Sequence, residues 1–476
     1  MLKKRANYNS NISIPKKHLG SYRDPTGNIF LYGERILRTV NPVAREQYEF
    51  IRDTKLMSDS MQAGFLITTG ELPRNEIPVQ LLEKSYVLEH EVVQHISYPY
   101  EWSFSQLKSA ALHHLNFQLF LLERGAVLSD ATAYNVQFIG TKPIFIDLLS
   151  IVKYQVGQYW TGYRQFCEQF LNPLVLRSAR GVTHNQWYRG GLEGITTIDL
   201  CALLSFRDKL SWKVLSHVVL QAKFDRAALK NPDETTARAK NSKSFSKLAY
   251  RGFLSQLQKW ISRLHPKDTG KTVWGDYAAN NAYESEEAKN KRRLVVEFAQ
   301  RHKPQKCIDL GCNTGDYSLA VIEGGAEYVV GYDFDHSAID FAFSRAEQDH
   351  APFLPLWLDA SNPSPAQGWM QTERLDFFSR NQANAVLALA FEHHLAIGKN
   401  IPIEEVVQWI VSLAPVGLIE FVPKNDETIQ KMLALREDIF PHYNQSLFEL
   451  SLSRVCKVVS KNIISKSGRV LYEYSR

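Results

Sequence analysis

The sequence predicts an α/β protein: a doubly wound, Rossmann-like carboxy-terminal domain with a seven-stranded sheet, preceded by an α+β amino-terminal domain. Three observations predict it. Lys306-Cys307-Ile308 leads into the loop Asp309-Leu310-Gly311-Cys312-Asn313-Thr314-Gly315-Asp316-Tyr317, and Ser318-Leu319-Ala320-Val321-Ile322 then reads as a helix. Tyr328 to Asp333 and Phe353 to Asp359 are two further apolar runs, each closing on an acid. Ala385-Val386-Leu387-Ala388-Leu389-Ala390 is apolar throughout, as a central parallel strand covered on both faces must be.

At 476 residues the chain is long for one domain and natural for two. His265-Pro266-Lys267-Asp268-Thr269-Gly270 carries the strongest breaker signal, dividing the chain into 1–265 and 266–476. Hydrophobic residues make up 44% and charged residues 22%, which suits a globular protein with full cores. A net charge of +6 is small for this length and does not demand nucleic acid. The five cysteines form no CxxC and no metal-like spacing with histidine, so they read as reduced thiols, with no metal site expected. Met1-Leu2-Lys3-Lys4-Arg5 has no apolar core behind it, and no apolar run reaches membrane-spanning length. A cytoplasmic protein without a membrane partner is expected.

In the first domain, Gly27 to Val40 reads as a hairpin about Gly33. A helix is expected around 44–56 and strands near 63–69 and 92–97. An amphipathic helix runs from about Ser105 to Arg124 and ends at Gly125. Residues 160–178, 196–222 and 248–264 look helical, and the polar, basic segment 223–247 reads as an insertion. In the second domain, helices are expected over about 284–301, 336–348, 403–413 and 426–438. Val416 to Val422 is a fifth strand, and strands near 454–460 and 468–474 form a closing hairpin.

A strand, a glycine loop and a helix open a nucleotide pocket at the strand's carboxyl end. An acid opens this loop and no phosphate-binding Lys-Ser/Thr follows, which argues against a P-loop and for a nucleoside with a positive centre. S-adenosylmethionine is such a ligand. Asp309 would then sit under its methionine part, directly or through water, while Gly311 and Gly315 let the backbone approach closely. Asp333 is placed to accept the ribose hydroxyls and Asp359 to take the adenine amino group. Asn313 stands where the usual acid-x-Gly-x-Gly-x-Gly loop has its middle glycine, and asparagine tolerates a positive φ.

The first domain holds a second pattern. Asp130, Asn135 five positions on, a short hairpin, and Asp147 at its end match the catalytic core of kinase-like phosphotransferases. That likeness implies an acceptor-orienting Asp130, with Asn135 and Asp147 holding magnesium on ATP. No His-Arg precedes Asp130, Asp147 stands before Leu148-Leu149 rather than Phe-Gly, and no glycine-rich lid is evident.

The block from Trp274 to Arg476 resembles a class I S-adenosylmethionine-dependent methyltransferase domain. The whole chain is similar to bacterial two-part proteins related to a rhizobial host-specificity nodulation protein. The stretches that carry the likeness are Ser97 to Trp102, Asp130 to Phe138, Asp309 to Ser318, Asn362 to Trp369 and Leu387 to Leu395. The resemblance implies methyl transfer. At the end of the fourth strand stands Phe391-Glu392-His393-His394, without the Asn/Asp-Pro-Pro-aromatic signature of amide or exocyclic-amine methylation. His393 or His394 is therefore a candidate base for a hydroxyl or amine, since histidine titrates near neutrality. Trp369 and Phe391 are candidate pocket walls. The expected acceptor is a small or glycan-like molecule, with RNA or protein as the alternative that the basic 223–247 segment would serve.

Overall fold

The computed structural model describes residues 14–230, 246–267, 286–434 and 437–476. Five short strands open the chain: β1 (Lys16–Lys17), β2 (Ile29–Tyr32), β3 (Arg35–Val40), β4 (Thr69–Glu71) and β5 (Tyr86–His90). They pair antiparallel in the order β1-β2-β3-β5-β4. Gly33, at φ +60°, makes the β2–β3 turn where the sequence places it. Helices α1 (Arg45–Asp53) and α2 (Leu56–Gln62) follow β3.

The two strands expected near 63–69 and 92–97 are corrected to Thr69–Glu71 and Tyr86–His90. Apolar residues in 63–69 do enter the core: Leu66 and Ile67 are buried, and the Phe65 carbonyl and the Ile67 amide bond to Phe145 of β8 in one isolated bridge instead of a long partner strand.

Helix α3 (Phe104–Glu123) is the spine of the first domain. Ser103 caps it by accepting from the Gln106 amide, and the Gln106 side chain returns the favour to the Ser103 amide, a reciprocal capping box. Gly125, at φ +76°, lets the chain leave. Strands β6 (Ala126–Leu128) and β9 (Ile151–Lys153) pair, as do β7 (Val136–Ile139) and β8 (Lys142–Phe145), so the loop carrying Asp130 is held between two small ribbons. The stretch expected as a helix over 160–178 is helical from Tyr163 and passes through a π-turn at Cys167–Leu171, whereas 196–222 is broken at 204–205 and 210–211 before a π-turn at Leu215–Val219. Helix α4 (Lys247–Ser262) packs back on α3, its Tyr250 hydroxyl accepting from Gln118 at 2.7 Å.

The second domain is described from α5 (Glu286–His302) onward; Trp274 to Tyr277 and the 266–270 boundary beyond Lys267 lie outside the described residues. Its strands are β10 (Cys307–Leu310), β11 (Val329–Asp333), β12 (Phe353–Trp357), β13 (Ala385–Ala388), β14 (Val416–Phe421), β15 (Lys457–Ile463) and β16 (Val470–Ser475). They form one sheet in the order β12-β11-β10-β13-β14-β16-β15. The first five are parallel and β16 enters antiparallel. Helices α6 (Asp316–Glu323), α7 (His336–Gln348), α8 (Glu392–Ala396), α9 (Ile403–Leu413) and α10 (Gln445–Val455) complete it. The helix expected over 426–438 ends at Leu433, and α10 was not foreseen.

The two domains share a packed boundary rather than a loose tether. Phe138 meets Phe343 edge-on at 6.0 Å, and the Ser105 amide at the start of α3 donates to Asp340 of α7 at 2.8 Å. No helix among the described residues is long and apolar enough to cross a membrane.

Candidate active site

The chain runs outward from β10 to β12 and then returns to lay β13 on the other side of β10. The crevice above the adjacent ends of β10 and β13 is therefore the topological switch point, where open α/β sheets hold ligands. The loop after β10 hugs the sheet: the amides of Gly311 and Cys312 both donate to the Tyr332 carbonyl, at 2.8 and 3.0 Å. Gly311 sits at φ +74°, and a Cβ there would stand 3.0 Å from the Phe391 ring. Gly315, at φ +88°, caps α6, and its Cβ would meet Phe353 at 2.6 Å. Asn313 takes φ +49°, the conformation for which asparagine substitutes for glycine.

Asp309 is 2% exposed and accepts from Ser318 Oγ at 2.6 Å. Asp333 accepts from the amides of Asn313 and Asp335, both at 2.9 Å. The loop after β10 is thus pinned to the end of β11 through the very carboxylate expected to meet the ribose. Burial pushes both acids up to about 6, against which Ser318 and Lys291 act at Asp309 and backbone amides act at Asp333. Two carboxylates are thus held near one crevice at a desolvation cost, the perturbation that marks a candidate site. Asp359 ends β12's turn, with Oδ1 accepting from the Ser361 amide at 3.0 Å and its hydroxyl at 2.6 Å.

At the end of β13, Ala390 adopts φ +49° and turns the chain so that Phe391 closes over Gly311. Of the two candidate walls, Phe391 lies against the Gly311 turn, whereas Trp369 stands 65% exposed. Glu392 is fully buried and accepts from the Val422 amide at 2.9 Å and the Tyr443 hydroxyl at 2.8 Å, which fixes α8 to the end of β14. His393 is 1% exposed, with Nδ1 3.5 Å from Glu392 Oε2, and its ring lies 4.2 Å from that of His394. Burial pushes His394 down to about 3, so it is an uncharged imidazole at neutral pH.

The structure also brings Asp130, Asn135 and Asp147 together in the first domain. Asn135 Nδ2 lies 3.1 Å from Asp130 Oδ2 and 3.4 Å from Asp147 Oδ2. Arg38 of β3, 6% exposed, bridges Asp147 at 2.6 Å and Asp24 at 2.8 Å. Burial opposes the charge on Asp147, yet Arg38 and Ser150 outweigh it and hold the carboxyl below its ordinary range. Burial, helped by the Asp147 charge, pushes Asp130 up to about 6. Among the described residues, no group of three His, Cys, Asp or Glu is arranged to hold a metal ion.

Residues 362–375 of the second domain lie across the first. Arg189 donates to the Asn362 carbonyl at 2.7 Å, and Gln367 donates to the Arg189 carbonyl at 2.8 Å. The Tyr22 hydroxyl and the Arg23 guanidinium both bond to Glu373, and Arg374 lies 4.2 Å over the Tyr134 ring. Beneath this loop, His95 links Lys306 Nζ at 3.2 Å to the Tyr332 hydroxyl at 3.1 Å, and that hydroxyl donates to Asn381 at 2.7 Å. His95 thus accepts at Nδ1 and donates from Nε2, a neutral tautomer fixed by its neighbours. Sequence reasoning missed this seam, because nothing local marks His95, Glu101 or Arg380 as partners across the chain. It also missed Lys291, although a lysine on the apolar stripe of α5, four residues before Val295 and seven before Phe298, is a readable signal.

The seven-stranded sheet, with β16 entering antiparallel between β14 and β15, has the Rossmann-like layout that the sequence predicts. No family model matches the chain. A 64-residue stretch, 13% of this chain, is 39% identical to 22% of the ribosomal protein L11 methyltransferase of Shewanella frigidimarina (strain NCIMB 400). Among solved structures, N-methyltransferase NodS from Bradyrhizobium japonicum WM9, in complex with S-adenosyl-l-homocysteine, aligns over 43% of this chain and 99% of its own, at 9% identity and a TM-score of 0.31. Along its whole length the chain is similar to the nodulation protein NoeA of Rhizobium meliloti (strain 1021), with 49% identity over 465 residues, 97% of this chain and 96% of the relative. At that identity and coverage, the chain belongs to the family of the nodulation protein NoeA.

Proposed function

We propose that the protein is an S-adenosylmethionine-dependent methyltransferase acting on an oxygen or nitrogen of a small or glycan-like acceptor. The observation that carries the donor assignment is Asp333, whose carboxylate ends β11 and is tied to the donor loop through the Asn313 amide. Methyl transfer from a sulfonium is an in-line displacement, so the protein's work is to align donor and acceptor and keep water out. Asp309 and Gly311 hold the methionyl end, Asp333 the ribose and Asp359 the adenine amino group. Gly315 opens α6 beside them, and Phe391 covers the loop.

His394 is the acceptor-facing imidazole of this reading. Uncharged at neutral pH, it does not repel the donor's sulfonium, and a ring nitrogen that accepts a hydrogen bond orients a hydroxyl or amine for attack. Its low proton affinity suits orientation better than full deprotonation. His393, buried against Glu392, supports that ring from behind. The absence of a Pro-Pro-aromatic turn after β13 favours this acceptor class over nucleobase or amide nitrogen. The 223–247 segment that an RNA or protein acceptor would use falls largely outside the described residues.

Calorimetric titration with S-adenosylmethionine tests the donor assignment. Wild type is expected to bind and Asp333→Ala to lose at least tenfold in affinity. No binding by wild type, or equal binding by the variant, overturns it.

The convergence of Asp130, Asn135 and Asp147 supports a second reading, a kinase-like nucleotide site in the first domain. A thermal shift with magnesium–ATP that disappears in Asp147→Asn is its expected signature. No shift in wild type overturns it.

A further inference from the structure

The loop between β1 and β2, residues 18–28, lies against the carboxylate cluster of the first domain. Gly27 packs so closely on β3 that a Cβ would stand 2.0 Å from the Thr39 carbonyl oxygen and 3.3 Å from Leu149, two residues after Asp147. Asp24 turns back on Thr26, its Oδ1 accepting from the Thr26 amide at 2.8 Å and from the Thr26 hydroxyl at 2.5 Å. That leaves Oδ2 to pair with Arg38 at 2.8 Å.

Arg38 divides its guanidinium between two carboxylates. Nη1 holds Asp147, Nη2 holds Asp24, and Nε is buried without a hydrogen-bond partner among the described residues. The two anions are not equivalent. Asp147 also accepts from the Ser150 hydroxyl at 2.6 Å and stands beside Asn135, whereas Asp24 arrives on a loop with its side chain 40% exposed. A guanidinium receives a phosphate with the same fork it offers a carboxylate. Exchanging Asp24 for a phosphate oxygen leaves the number of anions on Arg38 unchanged, and Nε is a further donor for the newcomer.

The same loop is fastened to the second domain. The Tyr22 hydroxyl and the Arg23 guanidinium both bond to the buried Glu373, and a Cβ on Gly20 would stand 3.0 Å from the Glu373 Cα and from its carbonyl oxygen. Residues 20–24 therefore run from the second domain to Arg38. We propose that this loop is a lid in which Asp24 is the built-in occupant of a phosphate-binding position on Arg38, held shut by Glu373 of the second domain. The inference rests on the nucleotide-site reading of the first domain above. A phosphate group of the nucleotide competes with Asp24, so whatever loosens the lid strengthens nucleotide binding. By the reciprocity of linked equilibria, a nucleotide in the first domain loosens the hold of Glu373 on the lid.

Calorimetric titration of the full chain with magnesium–ATP and with adenosine, which has the base and ribose but no phosphate, tests this. Asp24→Asn keeps an oxygen for Thr26 and removes the charge on Arg38's second arm. It is expected to bind magnesium–ATP about tenfold or more tightly than wild type, and adenosine as wild type does. Arg23→Gln takes a positive charge from the lid, which by charge alone would weaken the binding of an anion. Release from Glu373 predicts the opposite sign, a gain of about threefold for magnesium–ATP. Equal affinity in wild type and Asp24→Asn, or equal gains for both ligands, overturns the assignment of Asp24 while leaving the nucleotide site standing. Unchanged or weaker binding in Arg23→Gln overturns the hold by Glu373. Wild type that does not bind magnesium–ATP overturns the nucleotide-site reading and this inference with it.

Discussion

Arg380 of the second domain forms a two-point ion pair with Glu101 of the first domain, at 2.5 and 3.0 Å, with both side chains 2% exposed. The remaining guanidinium donors reach the carbonyls of Ile96 and Leu375 and the Ser364 hydroxyl, while Glu101 also accepts from the Tyr98 amide. This is a fully satisfied buried pair, and its two halves come from different domains. Replacing it whole with apolar groups need not cost stability, but breaking it leaves a carboxylate stranded.

Arg380→Met is therefore expected to destabilise the protein by about 3–5 kcal/mol in urea unfolding. The double variant Arg380→Met/Glu101→Gln is expected to recover a substantial part of that loss. A double variant as unstable as the sum of both singles would show that the pair is not coupled.

Asp309 carries a cost in the empty protein. Its carboxyl is pushed up to about 6 by burial, so the folded state holds a proton more tightly than the unfolded chain does. The penalty is present at pH 7 and is relieved as pH falls through 6 toward the unfolded value near 4. Asp309→Asn keeps the acceptor for Ser318 and removes the charge. It is expected to raise the stability of the empty protein at pH 7 by roughly 1 kcal/mol or more while weakening binding of S-adenosylhomocysteine. Thermal melts with and without ligand read both effects.

Backbone conformation separates Gly311 from Asn313, two of the three positions of the donor loop that take positive φ. Gly311 has no room for a side chain, because a Cβ would press on Phe391. Gly311→Ala is expected to cost about 1–3 kcal/mol and to impair donor binding. Asn313 tolerates glycine, so Asn313→Gly should change stability by about 0.5 kcal/mol or less, whereas the β-branched Asn313→Val should cost about 1–2 kcal/mol. Urea midpoints for the three variants give the ranking.

His95 makes the domain boundary sensitive to acid. Burial, followed by the charges of Lys306 and Arg380, holds it well below the ordinary histidine range. The unfolded chain takes up that proton near 6.5 and the folded chain does not, so this group's contribution to stability falls as pH drops below 6.5. Between pH 7 and 5.5 the loss attributable to His95 is about 1 kcal/mol. The same measurement on His95→Gln should show a shallower pH dependence by that amount.

Much of the second domain was legible in the sequence, because parallel strands buried on both faces leave continuous apolar runs. The helices at His336–Gln348 and Ile403–Leu413 stand where periodicity puts them, and the acids at 309, 333 and 359 stand at successive strand ends. The first domain was less legible. Its sheet is built from strands of two to six residues, too short to establish an alternation, and β5 was expected several residues late. Asp130, Asn135 and Asp147 were visible as a spacing, but the Arg38 that pairs with Asp147 comes from 109 positions earlier and carries no local mark. The seam between domains was invisible for the same reason: Arg380 and Glu101 are 279 residues apart.

The most direct measurement is a crystal structure of the full chain with S-adenosylhomocysteine. The nucleoside is expected above the carboxyl ends of β10, β11 and β12, with its ribose hydroxyls within hydrogen-bonding distance of Asp333 and its amino-acid end beside Asp309. A ligand seated elsewhere, or a crevice left empty at saturating ligand, would contradict it.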